Sequence, residues 1–259
     1  MKAVIVVGML ALTTGTGFGQ DFDPFDEPFA SAVPTDPSNP DRDKPKMVRV
    51  QVEFVEVAHA DCTELMTGKR NAADATALRV KLAEMVEQDR AEVVETMMVV
   101  ARSGKKATNE TIREFIYPTE HMPPSLPCGG PFQLPPEDVR RTRLRIPATP
   151  TAFETRNLGS TSEVAPKLRG DGRTIDLSLA PEMVLPAGYA VQHEFTAIGG
   201  HQHQTRMPVF VTERVNTQVT CRDGRYVLVT VLTPSDEAGE IDPSRKMLVL
   251  VKCDVLVVK

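Results

Sequence analysis

Three histidines lie close together in the chain, His193, His201 and His203. In GHQH, residues 200–203, two imidazoles two positions apart would share one face of a strand, a spacing that metal sites use. Gly199-Gly200 beside them reads as a loop, and carboxylate partners are sparse, so the expectation is a solvated loop rather than a metal centre. His193-Glu194 opens a possible HExxH, but alanine stands at 197 where the second histidine belongs, and the zincin motif fails. SGKKAT, residues 103–108, lacks the glycines and spacing of a phosphate loop. Arg140, Arg141, Arg143 and Arg145 form the one basic run, in proline-rich surroundings that suggest an exposed loop. No serine, cysteine or carboxylate has the setting of a nucleophile. Catalytic, cofactor-binding and metal-ligating residues are therefore all expected to be none, and the chain is read as a non-enzyme.

The cysteines Cys62, Cys128, Cys221 and Cys253 show no CxxC spacing, which argues against zinc and thioredoxin-like chemistry. Cys221 and Cys253 continue the apolar phase of their strands and read first as small buried hydrophobes. A Cys221–Cys253 disulfide is open to them only if those strands are neighbours, because a bridge tolerates a narrow range of separations.

The elements that must position these residues are mostly extended. The chain has 259 residues, 41% hydrophobic, with 21 prolines, no tryptophan and a net charge of −5. That acidic balance argues against a nucleic-acid partner. Residues 1–19, MKAVIVVGMLALTTGTGFG, combine a lysine start, a short apolar run and a small-residue cleavage site, and read as a secretory signal peptide. Residues 20–46 mix acids and prolines without period, as a flexible tether. From Met47, VRVQVEFVEV alternates and then flips phase near Phe54-Val55, as a strand with a bulge does. Asp74 reads as the N-cap of one short helix carrying Leu78, Leu82 and Met85.

Three hairpins are expected next: 92–102 with 107–120 around SGKK, 161–168 with 173–182 around RGDG, and 215–222 with 225–232 around Asp223-Gly224. Asp-Gly between alternating runs is the strong type I′ hairpin signal. The nine prolines of 118–150 argue against regular structure there, and 183–207 reads as a polar connection. KMLVLVKCDVLVV closes the chain as a strand covered on both faces. The fold class is mainly β (α+β), antiparallel and built of hairpins.

The order of VRVQVEFVEV, the helix-strand-turn-strand stretch LAEMVEQDRAEVVETMMVVARSGKKATNETIREFIYP, FETRNLGSTSEVAPKLRGDGRTIDLSLAPE, TERVNTQVTCRDGRYVLV and MLVLVKCDVLV resembles the secretin domain. That is the C-terminal, pore-forming part of the outer-membrane rings of type II and type III secretion systems and type IV pili. The resemblance covers about residues 48–258. It departs from the family at Val229-Thr230-Val231, where members usually carry Gly-Gly, and in the short polar link TPSDEAGEIDPSRK. The 20–46 tether is too short to hold one of the family's periplasmic ring domains, so no counterpart of them is expected there. The resemblance implies export to the periplasm or outer membrane, assembly with copies of itself or with other envelope proteins, membrane contact only through oligomers, and a role in protein secretion. An envelope scaffold that kept the fold without the pore is the alternative.

Overall fold

The computed structural model describes residues 44–67, 74–122, 148–196 and 202–258. The stretch expected to be a signal peptide, most of the expected tether, Cys128, the arginine run and His201 lie outside them. The elements are β1 (Lys46–Ala58), α1 (His59–Met66), α2 (Thr76–Glu87), β2 (Ala91–Arg102), β3 (Ala107–Met122), β4 (Thr149–Leu168), β5 (Thr174–Thr196), β6 (Gln202–Arg214), β7 (Thr217–Arg222), β8 (Tyr226–Leu232) and β9 (Arg245–Val257). The protein is mainly β, with antiparallel sheets and two short helices.

A four-stranded sheet in the order β2-β1-β9-β8 faces a five-stranded sheet in which β3-β4-β5-β6 run in order and β7 pairs with β5. Val48, Val50, Val52 and Phe54 of β1 pack between the sheets with Ile175, Leu177 and Leu179 of β5 and Met247, Val249, Val251 and Cys253 of β9. The bulge falls at Phe54/Val55, as the phase flip in the sequence predicts. Beyond it Val55 and Val57 point to the other face, where Leu78, Leu82 and Met85 of α2 and Cys62 and Leu65 of α1 cover them. Leu248 and Leu250 of β9 join that second cluster, so β9 is apolar because both its faces are covered.

Two helices replace the single one expected. Among the described residues α1 lacks a side-chain cap, and its HADCTELM carries too short an apolar stripe to announce itself. For α2 the N-cap is Ala75 rather than the expected Asp74, whose Oδ1 accepts the Thr76 N–H at 3.0 Å from one residue further back. Its end is a Schellman closure, with Asp89 at φ 56° and the Asp89 and Arg90 N–H groups donating to the Val86 and Met85 carbonyls.

Only the middle hairpin forms as expected, β4 with β5 around residues 169–173. Strands β2 and β3 do not pair, because β2 joins β1 and β3 joins β4 in the opposite sheet. Likewise β7 pairs with β5 and β8 with β9. Arg102–Lys105 and Arg222–Arg225 are thus corners between sheets. In each, the fourth residue's N–H donates to the first residue's carbonyl at 3.0 Å, and the third residue is a glycine at φ 74°. The connections expected to be irregular are also shorter: β3 continues through Pro118 with register shifts, and 183–207 holds the end of β5 and the start of β6.

Candidate assembly surface

Strands β4 and β5 pair from Leu168↔Ile175 as far as Gly159↔Val184, and no further. Past that point β3–β4 and β5–β6 continue as two separate ribbons. Gly159 stands at the fork with φ 121°, and a Cβ placed there would sit 2.1 Å from the Thr111 carbonyl oxygen. Only glycine fits that approach. A cleft of about 440 Å³ opens beside it, lined by Ile112, Arg156, Glu182 and Val184 among others. The ribbons are held to each other by side chains. Phe210 of β6 meets Phe115 of β3 edge-on at 5.9 Å and Tyr117 at 5.3 Å, and Arg156 donates to the Thr212 hydroxyl at 3.1 Å. The Tyr117 hydroxyl donates to Glu154 at 3.1 Å.

The ribbons leave large apolar side chains in water: Ile116 is 66% exposed, Tyr189 62% and Phe153 60%, with Ile112, Leu185 and Val191 also exposed. Ile112, Ile116 and Phe153 share one face of the β3–β4 ribbon, since Ile112 opposes Gly159, Ile116 opposes Thr155 and Phe153 opposes Pro118. Among the described strands β3 pairs with β4 alone and β6 with β5 alone, so each has an edge that no described strand covers. Such edges are templates for further strands. The proline density from Pro118 onwards, and Pro186 with Gly188, argue in the sequence against continuous strands here. The period of two in the sequence nevertheless puts Ile112 and Ile116 on one strand face, and likewise Tyr189 and Val191.

The residues singled out from the sequence fall elsewhere. Asp223 and Gly224 form the second corner. Gly224 alone has positive φ, the type II rather than the type I′ pattern, because the corner need not match the twist of a hairpin. The Asp223 N–H donates to the Arg173 carbonyl and the Gly224 N–H to the Cys253 carbonyl, both at 2.8 Å. Cys221 and Cys253 are buried and free in this structure. His193 is exposed and lines a cleft of about 650 Å³ at the ribbon tips with Glu120, His121 and Glu194. Among the described residues no three His, Cys, Asp or Glu side chains are grouped so as to hold a metal ion. No described helix is long and apolar enough to cross a membrane.

At the end of the sandwich away from the corners, Glu56 and Glu213 are buried. Burial first, then the Glu56 charge, pushes the Glu213 carboxyl up. Burial also raises Glu56, opposed by its ion pair with Arg245 and reinforced by Glu92. The Glu213 Oε2 is buried without a hydrogen-bond partner.

No family model matches the chain, and no curated protein matches it. Among solved structures it is similar to the AspS–GspD pilotin–secretin complex of ETEC, with 10% identity, TM-score 0.43, and coverage of 83% of this chain and 50% of that one. The InvG secretin-domain β-barrel from the Salmonella SPI-1 injectisome is similar at 10% identity and TM-score 0.39, covering 83% and 64%. Aeromonas hydrophila ExeD is similar at 12% identity and TM-score 0.37, covering 83% and 49%. This chain spans between about half and just under two-thirds of those chains.

Proposed function

We propose that this protein is a non-enzymatic, secretin-like component of the cell envelope that is exported by its signal peptide and assembles edge to edge with copies of itself. Its role is in protein secretion or transport across the outer membrane, as a ring or as an accessory to one. The observation that carries the reading is the pair of edges, β3 and β6, that no described strand pairs, bounding ribbons with exposed Ile112, Ile116, Phe153, Leu185, Tyr189 and Val191. Long apolar edges left open are a liability in a lone chain and an interface in an assembly. Strand β3 of one copy against β6 of the next would close both edges and gather the apolar faces of many copies into one band. A single copy offers too little apolar surface at the ribbons to span a bilayer, since girdled barrels need a continuous lipid-facing band.

Analytical ultracentrifugation with and without lipid vesicles tests this. The purified protein should sediment as a water-soluble monomer without lipid and as a large, heat-resistant multimer with it. Ile112→Lys with Ile116→Lys changes two exposed positions of β3, and should leave the monomer folded while abolishing the multimer. A wild type that stays monomeric on vesicles, or a double variant that assembles like wild type, would refute edge-to-edge assembly.

A further inference from the structure

Cys221 belongs to β7 and Cys253 to β9, so these two residues come from opposite sheets. Both are fully buried in one cluster of core side chains between those sheets, near enough for Cys221 to perturb the Cys253 thiol. The backbone around them is clamped from both sides. The Gly224 N–H donates to the Cys253 carbonyl at 2.8 Å, and the Val255 N–H donates to the Asp223 carboxylate at 2.8 Å. Cys62 packs in the separate cluster under the helices, so no other described cysteine competes for either sulfur.

We propose that Cys221 and Cys253 form a disulfide that ties the two sheets together, made by exchange with a disulfide-bearing oxidant, either a thiol oxidase or a small-molecule disulfide. One cysteine thiolate attacks the oxidant's disulfide and expels one of its sulfurs as a thiolate. The second cysteine then attacks the mixed disulfide, forms the Cys221–Cys253 bond and expels the other sulfur. Two protons leave the protein thiols, and two electrons reduce the oxidant to its dithiol. Neither sulfur is reachable in the closed sandwich, so exchange occurs before the sheets close. The neighbouring Cys221 thiol, then burial, pushes the Cys253 thiol well up, which keeps the closed, reduced pair unreactive. The same closure shields the finished bond from reductants. This inference is independent of whether the protein assembles.

The full chain is unfolded, refolded in a glutathione redox buffer, blocked with iodoacetamide and digested without reduction. The expected result is one linked peptide pair carrying Cys221 and Cys253. Relative to protein refolded with dithiothreitol, the folded-to-unfolded ratio should rise by roughly two to three orders of magnitude, as closing a loop of about 30 residues implies. Cys253→Ala should erase that difference, while Cys62→Ala with Cys128→Ala should keep it. Refolded wild type in which Cys221 and Cys253 are separately alkylated would overturn the proposal, as would a redox difference that survives in Cys221→Ala with Cys253→Ala. Where an alanine variant fails to fold, the peptide map of the wild type decides alone.

Discussion

Replacing Gly159 by alanine should be among the most damaging single-atom additions to this fold. Two costs combine. At φ 121° the backbone lies where side chains are rarely found, which costs roughly 1–3 kcal/mol. The new Cβ would also stand 2.1 Å from the Thr111 carbonyl oxygen, against backbone rather than a yielding side chain. Relieving that contact moves β3 off β4 by about 1 Å and weakens one or two ladder hydrogen bonds, each worth about 1 kcal/mol. The total is about 2–5 kcal/mol, a large share of the 5–15 kcal/mol typical of a domain. The control is Gly224→Ala, where φ is 74° but nothing lies within 4 Å of the added atom. Only the left-handed conformation is penalised there, at about 1–2 kcal/mol. Urea unfolding followed by far-UV circular dichroism separates them: the Gly159→Ala midpoint should fall by about 1–2 M and that of Gly224→Ala by less than 1 M. Equal shifts, or a Gly159→Ala midpoint within error of wild type, would show that the close approach at the fork does not constrain the protein.

Glu213→Gln should stabilise the protein at neutral pH. The folded carboxyl titrates above its ordinary value of 4.5, so the stability of the neutral form is fully present below that value and is lost as pH rises through the folded pKa. The wild-type denaturant midpoint should therefore decline over that window more steeply than the variant's, and parallel curves would contradict the assignment. Asp176→Ala should cost roughly 2–4 kcal/mol in chemical denaturation, because the buried carboxylate accepts two bonds from Arg169 and one from Thr220. A loss under about 0.5 kcal/mol would mean those bonds contribute nothing net. Asp89→Gly should raise stability by about 0.5–1 kcal/mol by relieving the one described non-glycine residue at positive φ, and a lower thermal midpoint would refute that.

The core was largely legible in the sequence. The β1 alternation and its phase flip place Val48–Phe54 and Val55–Val57 in their two clusters, and the continuous apolar run of β9 signals its double burial. What misled was the local grammar of turns. Arg-Ser-Gly-Lys and Arg-Asp-Gly-Arg between alternating strands look like hairpin loops, and nothing within a few residues says that the second strand leaves for the opposite sheet. The apolar sides of β7 and β8 do meet, as alternation requires, but across the core rather than within one ribbon. The candidate surface was harder to see because an unpaired edge is defined by the absence of a neighbour. Proline at 118, 181, 186 and 208 sits within strands, where propensity alone would end them.

The described chain passes between the sheets at two places, Arg102–Lys105 and Arg222–Arg225, and both lie at the same end of the sandwich. Mechanically the fold is a clam with both hinge pins on one side. Its mouth is at the other end, where Glu56 and Glu213 face each other and the loop of Gly239 rests on Ala187 and Val209. A load applied through the ribbons reaches the four-stranded sheet covalently only around the hinge, so the lips part first, and the two carboxylates, once ionised, push in the same direction. Cys221 and Cys253 sit beside the hinge. A bond between them would strengthen the pins and leave the mouth free to gape.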